Sequence, residues 1–174
     1  DYRAAGLGDF GKPEGYTRRQ VEGWTERYKA AKTDDIAEME GLARWLLDNT
    51  PKDSGAAVIH NDYKYDNLVL DPKELSNIVA VLDWEMATIG DPLGDLGTAL
   101  AYWLEPNDPE ELVTFGFGLT TLPGNLSREG VMQRYAEASG RDVSNMLFHY
   151  VNAVFKVAAI AKPIHLCFKQ GFIQ

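Results

Sequence analysis

A single cysteine, Cys167, excludes an internal disulfide framework and a thiolate zinc cluster, and it fits a reducing compartment such as the cytoplasm. No run approaches the roughly 18 uninterrupted apolar residues that a membrane-spanning helix needs. The most apolar stretch, Val151 to Phe168, is broken by Lys156, Lys162 and Pro163. The N-terminus, DYRAAGLGDFG, has no basic region followed by an apolar core, so it does not read as a signal peptide. It also lacks a starting Met, and the chain is expected to be an internal piece of something longer. Basic residues are scarce: Lys plus Arg number 17 against 26 Asp plus Glu, a formal net charge of −9. That balance argues against nucleic acid or an anionic membrane as partner. What remains is ordinary globular composition, 45% hydrophobic and 25% charged, in 174 residues. One domain with one sizeable core fits that length.

Residues 1 to 16 are rich in glycine and poor in large aliphatics, and read as a linker. Thr17 and Gln20 have the spacing of a capping box, and Val21, Trp24 and Tyr28 repeat at helical spacing, which predicts a helix from about 18 to 31. Asp34 and Asp35 suit the first turn of a second helix, whose apolar stripe is Ile36, Met39, Leu42, Ala43 and Leu46. Three short runs, Ala56 to His60, Asn67 to Leu70 and Ile78 to Leu82, are rich in Val, Ile and Leu between polar turns, and read as strands. Helices are then expected from about 93 to 104, 109 to 117, 128 to 139 and 143 to 169, the last bent near Pro163. Helices, a small β patch, then helices make a mostly α, α+β domain.

Chemistry concentrates in the β patch. Residues 60 to 67 read His-Asn-Asp-Tyr-Lys-Tyr-Asp-Asn between two apolar runs, and the run from Ile78 ends in Asp83-Trp84-Glu85. Asp62, Asn67 and Asp83 thus bring three oxygen-bearing side chains to strand or loop edges. Oxygen donors suit Mg²⁺, which takes one or two carboxylates and completes its shell with phosphate oxygens. A carboxylate left over can accept a proton from an attacking hydroxyl. A base, metal ligands and a nearby cation are the parts that phosphoryl transfer uses.

His60-Asn-Asp62-Tyr-Lys64-Tyr-Asp-Asn67 has the spacing of the kinase catalytic loop H-R-D-L-x-x-x-N. HNDYKYDNLVLD followed by VAVLDWEMATIGDPLGDLG resembles the aminoglycoside phosphotransferase and choline-kinase-like family. Within it, the likeness is nearest to phosphotransferase domains related to those fused to acyl-CoA dehydrogenases. The resemblance implies the mostly helical C-terminal lobe of a protein-kinase-like fold, over residues 17 to 174. It implies transfer of the ATP γ-phosphate to a small-molecule hydroxyl, with Mg²⁺ as cofactor. By motif, Asp62 takes the place of the catalytic base, and Lys64 that of the lysine meeting the transferred phosphate. Asn67 and Asp83 take the places of the Mg²⁺ ligands that hold the nucleotide. Asp95, in GDPLGDLG, takes that of a buried acid bracing the catalytic loop. Asn61 departs from the family, many members having Gly there. The family's N-terminal lobe has no counterpart, and the chain is expected to be the C-terminal lobe alone, stopping short of a final helix.

Other residues carry competing readings. Glu85 is either a metal-proximal group or a solvated loop acid. Asp91, before Pro92, reads as a helix cap and His60 as a loop anchor. Tyr102 and Trp103 either line a substrate cleft or end a helix, whereas Trp24, Tyr28 and Trp45 read as core. Asp9-Phe10-Gly11 spells the kinase metal-binding triplet but precedes the catalytic loop, where the triplet must follow it. Gly6-x-Gly8-x-x-Gly11 has no strand before it to make a dinucleotide fingerprint. His149 and His165 stand too far apart to share a metal. Two rival functions remain: an inactive kinase-like binding module, and a metal-dependent hydrolase, which would want more His or carboxylate ligands.

Overall fold

The first helix starts on a borrowed carboxylate. In the computed structural model, which describes residues 1–31, 35–114 and 119–169 (side chains of the last helix to Lys162), α1 spans Tyr16–Ala30. The expected Thr17–Gln20 capping box does not form. Gly15 stands at the N-cap in the left-handed region, φ 64°, and Asp53 accepts from the amides of Tyr16 (3.1 Å) and Thr17 (2.8 Å). A charged acceptor meeting two free N–H groups outbids a neutral hydroxyl meeting one. The Thr17 hydroxyl is thereby released and donates to Asp91 at 3.2 Å.

Helix α2, Ala37–Asp48, carries Glu38 and Glu40 in its first turn, while Asp34 lies outside the described residues. The remaining helices are α3, Pro92–Tyr102; α4, Glu110–Thr114; α5, Arg128–Ser139; and α6, Met146–Lys169. The α6 assignment continues through Pro163. Residues 115–117 of the expected 109–117 helix lie outside the described residues. One core joins α1, α2 and α6 through Val21, Tyr28, Leu46, Phe148 and Phe155; a second joins α3 and α6 through Leu93, Leu96, Leu100 and Met146. α3 and α6 cross closely at Gly97, where a Cβ would fall 2.6 Å from the His149 carbonyl oxygen.

The β patch has four strands among the described residues rather than three, in two antiparallel pairs. β1, Ala57–Ile59, pairs with β4, Thr88–Gly90; β2, Leu68–Leu70, pairs with β3, Ile78–Val81, with a register shift after Val69. β4 has one aliphatic residue, Ile89, so no apolar run marks it, and its partner lies some thirty residues back. Pairing, not propensity, makes it a strand. The N-terminal segment runs against it: Thr88 donates to the Phe10 carbonyl at 3.3 Å.

Asp91, wholly buried, ties these parts together. As expected it caps α3, accepting from Leu93 N–H at 2.9 Å. It also accepts from Ser54 N–H at 2.8 Å, from the Ser54 hydroxyl and from Thr17, so one carboxylate pins α1, the approach to β1 and α3. Asp91→Ala leaves those donors unpaired and is expected to lower unfolding free energy by about 2–4 kcal/mol in urea melts.

Candidate active site

The loop from His60 to Asn67 is held from below by Asp95. Its carboxylate, in the first turn of α3, accepts from His60 N–H at 2.9 Å and from Asn61 N–H at 2.7 Å. His60 is the anchor it was expected to be. Its Nε2 meets the Leu82 carbonyl at 2.8 Å and its Nδ1 accepts from Asp62 N–H at 3.2 Å, which fixes the tautomer as Nε2–H. Asn61 has φ 66°, in the left-handed region that Asn is among the few non-glycine residues to tolerate. Its side chain accepts from the Tyr16 hydroxyl at 3.0 Å and donates to the Met86 carbonyl at 3.0 Å.

This frame brings Asp62, Lys64 and Asn67 together. Asp62 Oδ2 lies 2.9 Å from Lys64 Nζ, and Oδ1 accepts from the same ammonium at 3.2 Å. Asn67 Nδ2 donates to Asp62 Oδ2 at 3.0 Å and to the Asp62 carbonyl at 2.8 Å. The side chains of Asp62 and Lys64 keep 18% and 26% exposure, so the pair faces solvent across a partly sheltered surface. Burial pulls the Lys64 pKa down, but the bond to Asp62 and its charge outweigh that and leave it above the ordinary range. Tyr102 lies beneath, its ring 5.0 Å from Lys64 Nζ, and burial with the Asp62 charge raises its phenol pKa. Trp103 stacks on Tyr65 at 5.5 Å, and with Lys64 both line a cavity of about 750 Å³ whose walls include Leu96, Leu100 and Tyr135.

Asp83 stands after β3, with φ 61°, and its carboxylate has no hydrogen-bond partner among the described residues. It is knit to the loop by backbone, Leu82 N–H donating to the Asn67 carbonyl at 2.8 Å. Glu85 follows in an exposed turn, Trp84–Met86. The Asn67 amide spends its nitrogen on Asp62, which leaves its oxygen available as a donor to a cation. Among the described residues no three His, Cys, Asp or Glu side chains cluster as a metal site.

Two contributors escape motif reading. Tyr16 reaches Asn61 from α1, and burial pushes its phenol up to about 12. Lys156, only 9% exposed on α6, donates to the Asn61 carbonyl at 3.2 Å. Burial lowers its pKa, against the opposing charges of Asp62 and Asp95. Lys156 interrupting the apolar stretch from Val151 to Phe168 was the available signal.

Two stability tests follow from this geometry. Asp95→Ala unpairs two loop amides and is expected to cost about 1–3 kcal/mol. Asp62→Ala is expected to be neutral or slightly stabilising, since active-site acids are often kept at a cost to stability; thermal melts of both variants without nucleotide check this. For Tyr16, the fold favours the neutral phenol, so the unfolded chain ionises first. Its contribution is complete below pH 10 and lost as pH rises toward about 12. The stability gap between wild type and Tyr16→Phe, read by urea melts, is expected to narrow across that window.

The geometry agrees with comparison to known proteins. The sequence model of the phosphotransferase enzyme family matches residues 1–131. Acyl-CoA dehydrogenase family member 11 of Gallus gallus is 36% identical over 171 residues, covering 95% of this chain and 22% of that protein. Acyl-CoA dehydrogenase family member 10 of Mus musculus is 36% identical over 170 residues, covering 95% of this chain and 15% of that protein. A solved structure assigned as an aminoglycoside phosphotransferase, from Ralstonia eutropha JMP134, superposes with a TM-score of 0.84 at 33% identity, covering 99% of this chain and 53% of that one. Macrolide 2'-phosphotransferase type I shares the fold at 18% identity and a TM-score of 0.58, over 98% of this chain and 48% of its own. The fold is thus aminoglycoside-phosphotransferase-like, helices dominating around a small β patch. The chain spans about half the length of these solved structures and less than a quarter of the acyl-CoA dehydrogenase relatives. With its family matched over three quarters of its length, the chain belongs to the phosphotransferase enzyme family.

Proposed function

We propose that this chain is the catalytic-loop lobe of a phosphotransferase that moves the γ-phosphate of ATP to a small-molecule hydroxyl in the cytoplasm. The observation that carries the reading is the Asp62–Lys64–Asn67 cluster on a braced loop. Asp62 orients the acceptor hydroxyl and takes its proton. Lys64, on both carboxylate oxygens, sets a positive charge where acceptor and phosphate meet, and its raised pKa keeps it protonated at neutral pH. The Asn67 amide oxygen and the Asp83 carboxylate would hold Mg²⁺, with Glu85 beside them. Bound there, Mg²⁺ would neutralise charge on the ATP phosphates. Positioning and electrostatics then carry the rate, as they do in phosphoryl transfer generally.

The acceptor enters from the cavity beside Lys64, whose walls of Leu96, Leu100 and Trp103 favour an apolar body over a polycation. Residues 1–16 lead from an N-terminal lobe that supplies the other face of the nucleotide site. Leu82, Trp84 and Met86, exposed around Asp83, offer that lobe and the adenine an apolar floor. Alone, the 174-residue chain is therefore expected to bind Mg·ATP weakly.

Titration calorimetry with Mg·ATP tests the assignment on the chain extended upstream by about a hundred residues. Asp62→Asn is expected to keep nucleotide affinity and lower turnover by about 10² or more. Asp83→Asn is expected to weaken Mg·ATP binding, because it removes a charged metal ligand. Affinity lost in Asp62→Asn and kept in Asp83→Asn would reverse the roles. An extended chain that still bound no nucleotide would favour the binding-module reading.

A further inference from the structure

We propose that one ordered water occupies a small cavity behind the catalytic loop and bridges His149 and Asn152 of α6 to the ammonium of Lys156. The cavity holds about 20 Å³ and is lined by Tyr16, Trp24, Asn61, His149, Asn152 and Lys156, among others. Two buried atoms on its lining residues, His149 Nδ1 and Asn152 Oδ1, have no hydrogen-bond partner among the described residues. His149 is 1% exposed. Positions 149, 152 and 156 fall at i, i+3 and i+7, so α6 presents all three on one face.

A water needs roughly 10–15 Å³ and two to four polar partners, and this cavity supplies both. The Lys156 ammonium has three donors and spends one on the Asn61 carbonyl. Another can point at the water oxygen, leaving its two hydrogens for Asn152 Oδ1 and His149 Nδ1. Burial lowers the His149 pKa, which keeps the ring neutral and one ring nitrogen an acceptor. The ammonium excludes a second cation from the cavity, and the volume excludes a polyatomic anion. A dry cavity would leave two buried polar atoms unpaired on one helix face, which folded proteins rarely allow. The water gives Lys156 a second fixed partner and so aims it at the residue before Asp62. The site does not depend on the phosphotransfer reading and would stand if that reading fell.

A crystal structure of the chain at a resolution that shows ordered waters tests the site. A peak within hydrogen-bond distance of both His149 Nδ1 and Asn152 Oδ1 is the expected result, and empty density there overturns the proposal. Asn152→Leu gives an independent sign. If water bridges the acceptor, the substitution breaks the bridge and Tm falls by about 2–4 °C. If the acceptor is dry, leucine removes an unpaired atom and Tm rises, which also overturns the proposal.

Discussion

The candidate site rests on one carboxylate, that of Asp95. Asp95 accepts from two consecutive amides, His60 and Asn61, and fixes the plane on which Asp62 is mounted. Consecutive N–H groups turned to one side require an unusual backbone, here the left-handed Asn61. Left-handed conformation is costly for a residue with a side chain and persists only where neighbours over-determine it. Tyr16, Met86 and Lys156 do so, taking both side-chain atoms and the carbonyl of Asn61. The loop is thus preformed before any ligand arrives, which is what positioning catalysis requires.

Several buried and half-buried charges are held by more than one partner each. Asp91 meets four donors, Asp95 two amides, and Arg128 the carboxylates of Glu105 and Asp108 as well as the Trp103 carbonyl. A buried charge is tolerated on those terms and becomes a liability when a partner is lost. These acids join segments far apart in sequence, so they stand in for the hydrophobic contacts that short strands cannot make. The four strands, three or four residues each, could not hold the loop by pairing alone.

Much of this was legible in the residues. Apolar spacing located α1 and α2, the expected ranges for α3, α5 and α6 lie close to the observed ones, and Asp91-Pro92 marked a helix start. The candidate loop could be read because its residues are consecutive, and Asp95 because it sits at a helix entry with free amides in reach. What was not legible depends on distant partners. Asp53 caps the start of α1 in place of the expected Thr17–Gln20 box, β4 exists only through β1, and Lys156 reaches the loop from ninety-five residues away. The left-handed conformations of Asn61 and Asp83 were not read from the sequence; that of Asp83 comes from the chain path between β3 and the turn at Trp84.

The claim that Asp95 holds the loop from His60 to Asn67 is tested most directly by amide hydrogen exchange at His60 and Asn61 in the 174-residue chain. The account predicts slow exchange at both amides in the wild type. In Asp95→Ala both should become fast while the amides inside α6 stay protected. Fast exchange of His60 and Asn61 in the wild type, or unchanged protection in Asp95→Ala, would contradict it.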